Sequence, residues 1–310
     1  MNTTVEDFLK YLKFERNYSD KTIIAYRIAL REYEDYVVGQ TGQFDPLAPS
    51  LPLARGWMVS MGKRKLSVAT IKQSFCALRS FCRYLRQQGL LHSNPLTLLP
   101  TPKVPKTLPV WVHEKEMDQL IDDTDYGDDF VGIRDHLLID MLYSTGMRRA
   151  EAAGLRSQDV DLDNNQLRVT GKGNKQRIIP FGPELHTLIK NYVGARDAEV
   201  GGRTEMFFTN PEGEGLSPTK VTAIAHKYLE QLPHLARHGA HVLRHSFATN
   251  MLAEGADLMA VKELLGHASL DSTEVYTHLT PQELLQNYRK AHPRSGGGGT
   301  LPDPPYEGGR

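Results

Sequence analysis

The stretch from residue 241 to 278 decides the reading. It runs His241-Val242-Leu243-Arg244-His245, then Leu264-Leu265-Gly266-His267, then Thr273-Glu274-Val275-Tyr276-Thr277-His278. Two other stretches carry matching chemistry, Thr145-Gly146-Met147-Arg148-Arg149-Ala150-Glu151 and Gly171-Lys172-Gly173-Asn174-Lys175. Two arginines, a lysine, two histidines and a tyrosine suit one task, which is to hold a phosphate diester and attack it. Negative charge grows on the phosphate oxygens in the transition state. Arginine answers it with a planar fork that bonds two oxygens and keeps its proton. Tyr276 is the expected nucleophile. A free phenol titrates near pH 10, so it needs a cation and a proton acceptor close by. His241 precedes Arg244 by three residues, which places both on one side of a helical turn. His267 is a donor to the phosphate, and Lys172, at a flexible hairpin tip, reaches the departing 5′ oxygen. Covalent capture conserves the bond energy, so neither a metal nor a cofactor is expected. Each residue alone has a commoner role: an ion pair, a structural histidine, a packed tyrosine, a turn. Their order and spacing together outweigh those roles.

The chain has 310 residues, enough for two domains and a large core. Apolar residues make up 40% and charged residues 24%, the balance of a globular protein. Neither a membrane-spanning apolar run nor the features of a signal peptide are seen, so a cytoplasmic place is expected. Cys76 and Cys82 read as reduced core thiols. The net charge of zero hides an asymmetry. Residues 1–110 hold 16 Lys+Arg against 8 Asp+Glu, and the remainder holds 21 against 29. A basic front end suggests a domain that grips a polyanion.

Apolar spacing predicts helices over residues 3–17, from Ser19-Asp20 to Val38, over 53–61 and from Ser67 to Gln88, with Thr4 and Asp7 as a capping box for the first. Ile23, Ile24, Tyr26, Leu30 and Tyr33 are the apolar side of the second helix. The fourth carries Lys72, Arg79, Arg83 and Arg86 on its polar side, with Lys63-Arg64-Lys65 just before it. Acidic residues are absent from Gly62 to Lys106, whereas a solvated face mixes both signs, so this is the expected DNA-facing surface. Prolines from Pro95 to Pro109 interrupt regular structure. The expected division is therefore a DNA-binding domain over 1–99, a proline-rich linker over 100–109 and a second domain over 110–294. Residues 295–310 read as a disordered tail or an added linker. Within the second domain, helices are expected over 114–122, 132–144, from Arg148, from Pro183, and over 219–232, 243–255, 259–265, 272–279 and 281–290. Period-two segments at 167–170 and 177–180 predict a β-hairpin.

These motifs identify the chain as resembling the tyrosine recombinases, most closely the bacterial Xer recombinases, across residues 3–293. The likeness implies a mainly α fold (α+β). A four-helix core-binding domain and a mostly helical catalytic domain with a small antiparallel β-sheet would close as a C-shaped clamp on double-stranded DNA. It implies Arg148, Lys172, His241, Arg244 and His267 as the catalytic set, Glu151 as its support, and Tyr276 as the residue that joins the DNA 3′ phosphate. It adds Lys21 and Tyr26, on the helix opened by Ser19, to the DNA-contacting residues. Four copies, or two each of this chain and a second Xer-type recombinase, would exchange strands through a Holliday junction, with a DNA translocase of the FtsK type as a further partner. Family members pass a C-terminal helix to a neighbour, and residues 281–290 are placed to do so. Arg149 departs from the pattern, where an apolar residue is expected. The role implied is the resolution of chromosome dimers at cell division. Integration of a phage or mobile element, relaxation by a type IB topoisomerase, and DNA binding without catalysis are the alternatives.

Overall fold

The structure is a computed structural model. It describes residues 2–104, 110–171, 175–201, 204–266 and 281–295. The chain divides into two compact units, Met1–Thr107 and Leu108–Arg310.

The first unit is four helices: α1 (Thr3–Phe14), α2 (Asp20–Thr41), α3 (Leu51–Lys63) and α4 (Val68–Gln87). Three starts follow the local rule that a short polar side chain caps the first free N–H groups. Ser19, Ser50 and Ser67 accept from the backbone N–H of Thr22, Leu53 and Thr70. The first helix corrects the expected cap, because Asn2, not Thr4, accepts the free N–H, that of Thr4 itself. The second runs past Val38 to Gly42, whose φ of +81° ends it in the left-handed conformation that glycine adopts freely. Val5, Phe8, Leu12, Leu30, Tyr33, Trp57, Phe75, Leu78, Phe81 and Leu85 interlock in one core. Ile24, expected on the apolar side of α2, is instead 56% exposed, because α2 turns Ile23 and Leu30 inward. The core does not stop at the first proline. Pro95–Leu98 forms a 3-10 turn capped by Asn94, and Leu96 and Leu99 are both buried.

The second unit is built around α6 (Phe130–Thr145), which is buried on nearly all sides, its charged Arg134, Asp135 and Asp140 included. Around it lie α5 (Glu114–Asp118, continued by a π turn over Gln119–Asp123), α7 (Arg149–Ala153), α8 (Pro183–Val200), α9 (Pro218–Leu229), α10 (Ala240–Ala253), α11 (Leu258–Leu265) and α12 (Pro281–Ala291). The expected hairpin forms two strands of a three-stranded antiparallel sheet in the order β1 (Val160–Asp161), β2 (Gln166–Thr170), β3 (Gln176–Pro180). Its register pairs Leu167 with Ile179 and Val169 with Arg177. The helix expected over 272–279 lies outside the described residues.

The last described stretch, residues 281–295, is held by an arginine. Arg294, 9% exposed, forks onto Asp122 at 2.9 and 3.0 Å and lies 3.4 Å from Asp140, which is fully buried. Burial pushes the Asp140 carboxyl up, and Arg294 is the strongest influence against it. Removing one partner of such a pair strands a buried charge, at a cost of about 3–5 kcal/mol. Arg294→Ala is therefore expected to lower the melting temperature by roughly 10 °C, checked by calorimetry, at the 2–4 °C per kcal/mol of a unit this size.

Candidate active site

Arg148 caps α7 in an extended conformation, following Gly146, whose φ of +59° ends α6. A Cβ at Gly146 would sit 2.5 Å from the Phe247 ring and 2.8 Å from Leu265, so only glycine lets the chain turn there. The turn returns Glu151 to Arg148. Its carboxylate accepts the Arg148 backbone N–H at 2.7 Å and the guanidinium at 2.9 Å. Arg148 also donates to Gly266 O at 3.2 Å.

Arg244, in the second turn of α10, is buried and aimed by two helix-end carbonyls. It donates to Gly146 O, and to Leu265 O at 2.7 Å. Burial and the nearby Arg148 push its pKa down to about 10, which still leaves it fully charged at neutral pH. Three elements that are far apart in sequence, the end of α6, the start of α10 and the end of α11, thus meet at two guanidinium groups.

Arg177, which the sequence pattern marks only as a strand residue, belongs to this cluster. From β3 it forks onto both oxygens of Glu151 at 3.0 and 2.8 Å and donates to Leu264 O at 2.6 Å. The signal was available: Arg177 shares its face of β3 with Ile179, so a charge sits on the buried side of a strand while Ile178 is 42% exposed. Gly266 leaves space for it, since a Cβ there would lie 3.1 Å from the Arg177 Cδ.

Glu151 is buried between two arginines. Burial raises its pKa, but hydrogen bonds from Arg177 and from the Arg148 backbone outweigh that and hold it below the ordinary carboxylate range. Glu151→Ala leaves Arg148 and Arg177 facing each other without a counter-charge, so a loss of about 3–5 kcal/mol is expected in urea unfolding. The group's folded pKa is depressed. Its contribution is therefore complete above the unfolded value near 4.3 and fades as pH falls through the lower folded value. The stability gap between the variant and the unaltered chain should narrow in acid, below about pH 4.3.

His241 is exposed on the first turn of α10. Partial burial and then the positive charges of Arg149, Arg244 and Arg148 lower its pKa, so it is neutral at pH 7 and able to accept a proton. Of the expected catalytic set, the fold brings together Arg148, Glu151, His241 and Arg244. Lys172, His267 and Tyr276 lie outside the described residues.

In the first unit, Lys21, Lys63, Arg64, Lys65, Lys72 and Arg83 are exposed. Tyr26 is half-buried, with burial raising its pKa against a hydrogen bond from Ser80. The positive charge of Arg83 on α4 also acts on that phenol, in the opposite direction to burial. Two cations are already engaged. Arg64 pairs with Glu32 at 3.2 Å, and Arg79 turns to Thr101 at 2.7 Å, fastening the proline-rich segment to α4.

Comparison with known proteins places the chain. Residues 110–283 match the phage integrase family, and residues 5–89 match the phage integrase N-terminal SAM-like domain. Tyrosine recombinase XerC of Oceanobacillus iheyensis is 35% identical over 297 residues, covering 94% of this chain and 97% of that protein. XerC of Bacillus subtilis is 36% identical over 297 residues, covering 94% and 96%. Among solved structures, the XerH site-specific recombinase bound to palindromic difH substrate after cleavage superposes with a TM-score of 0.68 at 26% identity, over 91% of this chain and 83% of that one. The Tn1549 transposon integrase has the same fold, with a TM-score of 0.68 at 19% identity, over 91% and 97%. The chain belongs to the phage integrase family, the tyrosine recombinases that cut and rejoin DNA. Within that family it is of the Xer type, a site-specific recombinase.

Proposed function

We propose that this chain resolves chromosome dimers, breaking and rejoining double-stranded DNA at a dif-like site through a covalent 3′-phosphotyrosyl intermediate. The observation that carries the chemistry is the cluster of Arg148, Arg177 and Arg244 around Glu151, with His241 on the same helix as Arg244. Arg148 and Arg244 hold the non-bridging oxygens of the scissile phosphate. Fixed donors of this kind lower the barrier without having to reorganise during the reaction. Neutral His241 assists as proton acceptor, and His267 donates to the phosphate. The Tyr276 oxygen bonds to phosphorus as the bond to the 5′ oxygen breaks, and Lys172 gives that oxygen its proton. The 5′ hydroxyl of a partner strand then attacks the phosphotyrosyl bond, which restores the diester and frees the tyrosine. One bond forms for each that breaks, so the cycle requires no external energy.

Lys21, Lys63, Lys65, Lys72 and Arg83 supply phosphate contacts from the first unit. The working form is a tetramer on two DNA sites, of this chain alone or with a second Xer-type recombinase, and a DNA translocase of the FtsK type is the proposed activator. Residues 281–290 are proposed to pass between neighbours. Its place of action is the cytoplasm; among the described residues no helix is long and apolar enough to cross a membrane.

The reading is tested by trapping. Nicked duplexes from the chain's own genome are incubated with it, denatured, and sequenced where protein remains attached. Attachment to a 3′ phosphate at a site beside the replication terminus is the expected result. Attachment at the end of a mobile element would replace dimer resolution by integration, and no attachment would remove the chemistry itself.

A further inference from the structure

Arg149 begins α7, directly after Arg148, with its side chain exposed. Its guanidinium is nonetheless held. It donates to Thr222 Oγ1 on α9 at 3.0 Å, and that hydroxyl in turn donates to Pro218 O at 3.0 Å. The tether is neutral, so the positive charge is left intact. Among the described residues no carboxylate lies within 4.0 Å of Arg149, whereas Arg148, Arg156, Arg177 and Arg196 each pair with one. The hydrogen bond to Thr222 orients the guanidinium without neutralising it.

The charge count around the site says what the arginine is for. Arg148, Arg177 and Arg244 against Glu151 leave two positive charges. Attack by a phenolate on a phosphate diester produces a dianion, which those two charges match. Arg149 is surplus to that step, though its field reaches His241. Arg148 is turned to Glu151 and Gly266 O while Arg149 is turned to Thr222 on α9, so the two guanidinium groups are held by different partners and do not share one phosphate. Arg149 directly follows Arg148 in the chain, so the DNA within its reach lies close to the phosphate that Arg148 holds.

We propose that Arg149 binds the DNA phosphate next to the scissile one, with Thr222 fixing its guanidinium in advance. This rests on the recombinase reading of the site. An apolar residue, as the family resemblance leads one to expect here, would leave that phosphate to water.

The test uses a duplex selected from a randomised library by covalent capture on the intact chain, and binding is measured across a salt titration. Arg149→Ala should weaken binding about 10-fold, the usual effect of losing one charge-assisted hydrogen bond. It should also reduce the slope of log K against log salt by about 0.9, the release from one phosphate. Arg149→Lys should restore the slope. Thr222→Val, which keeps the charge and loses the tether, should retain the slope and weaken binding about threefold. Neutral methylphosphonate linkages are then placed one at a time beside the scissile position. At one of them the unaltered chain should lose about 10-fold and Arg149→Ala nothing further. If both proteins lose equally at every position, Arg149 touches no such phosphate and the proposal is wrong. Should the alanine variant fail to fold, Arg149→Gln, which keeps a donor for Thr222, answers the same question. If the intact chain captures no duplex at all, the recombinase reading falls first, a result distinct from equal losses.

Discussion

Tyr276→Phe is expected to form no covalent complex with a nicked duplex that traps the unaltered chain. The change removes one oxygen and nothing else, so it isolates the bond-forming atom from the rest of the site. Binding should stay within about twofold, because affinity for DNA is dominated by contacts to many phosphates, and those come from arginines and lysines elsewhere. The measurement is a denaturing gel of labelled DNA alongside an equilibrium titration of the same sample. A persistent adduct in the variant would assign the nucleophile to another side chain. Loss of adduct and binding together would mean that Tyr276 serves the fold or the interface and not the chemistry.

The second large effect falls on Arg244. Arg244→Lys should slow single-turnover cleavage about 10²–10³-fold, the scale on which one preorganised donor contributes to a transition state. The charge survives in lysine, but the fork does not, and a single ammonium cannot hold Gly146 O and Leu265 O while also facing the phosphate. Arg244→Ala goes further. Two carbonyls at helix ends lose their donor, at about 1–3 kcal/mol for each left unsatisfied. That variant should therefore lose stability as well as rate, whereas lysine should separate the two. Rapid-quench cleavage and thermal melting on both variants distinguish an arginine that acts on the phosphate from one that only ties α6 to α11. Equal melting-temperature losses with an unchanged lysine rate would leave only the second role.

Much of the fold was legible because it is local. Ser19 and Ser67 cap the helices they were expected to cap, and Leu167 and Ile179 alternate as hairpin residues do. The failures also have local causes. Asn2 won the first cap from Thr4 because both are good capping residues and the chain enters the helix two residues earlier. Ile24 is exposed because α2 buries a narrower stripe than its composition suggests. The 3-10 turn at Pro95–Leu98 was hidden by the prolines around it, which break an α-helix but begin a short turn readily.

By itself the sequence determined the chemistry on offer. Arginines, histidines, a lysine and a tyrosine occur in one order, on segments whose helical or strand character follows from neighbours a few residues away. Tertiary structure alone decided how they are aimed. Arg148 meets Gly266 across 118 residues, Arg177 meets Leu264 across 87, and Arg244 meets Gly146 across 98. No local pattern encodes those meetings, since they depend on how α6, α10, α11 and β3 pack. Burial makes them strong, because a guanidinium removed from water takes whichever carboxylate or carbonyl the packed helices leave within its reach.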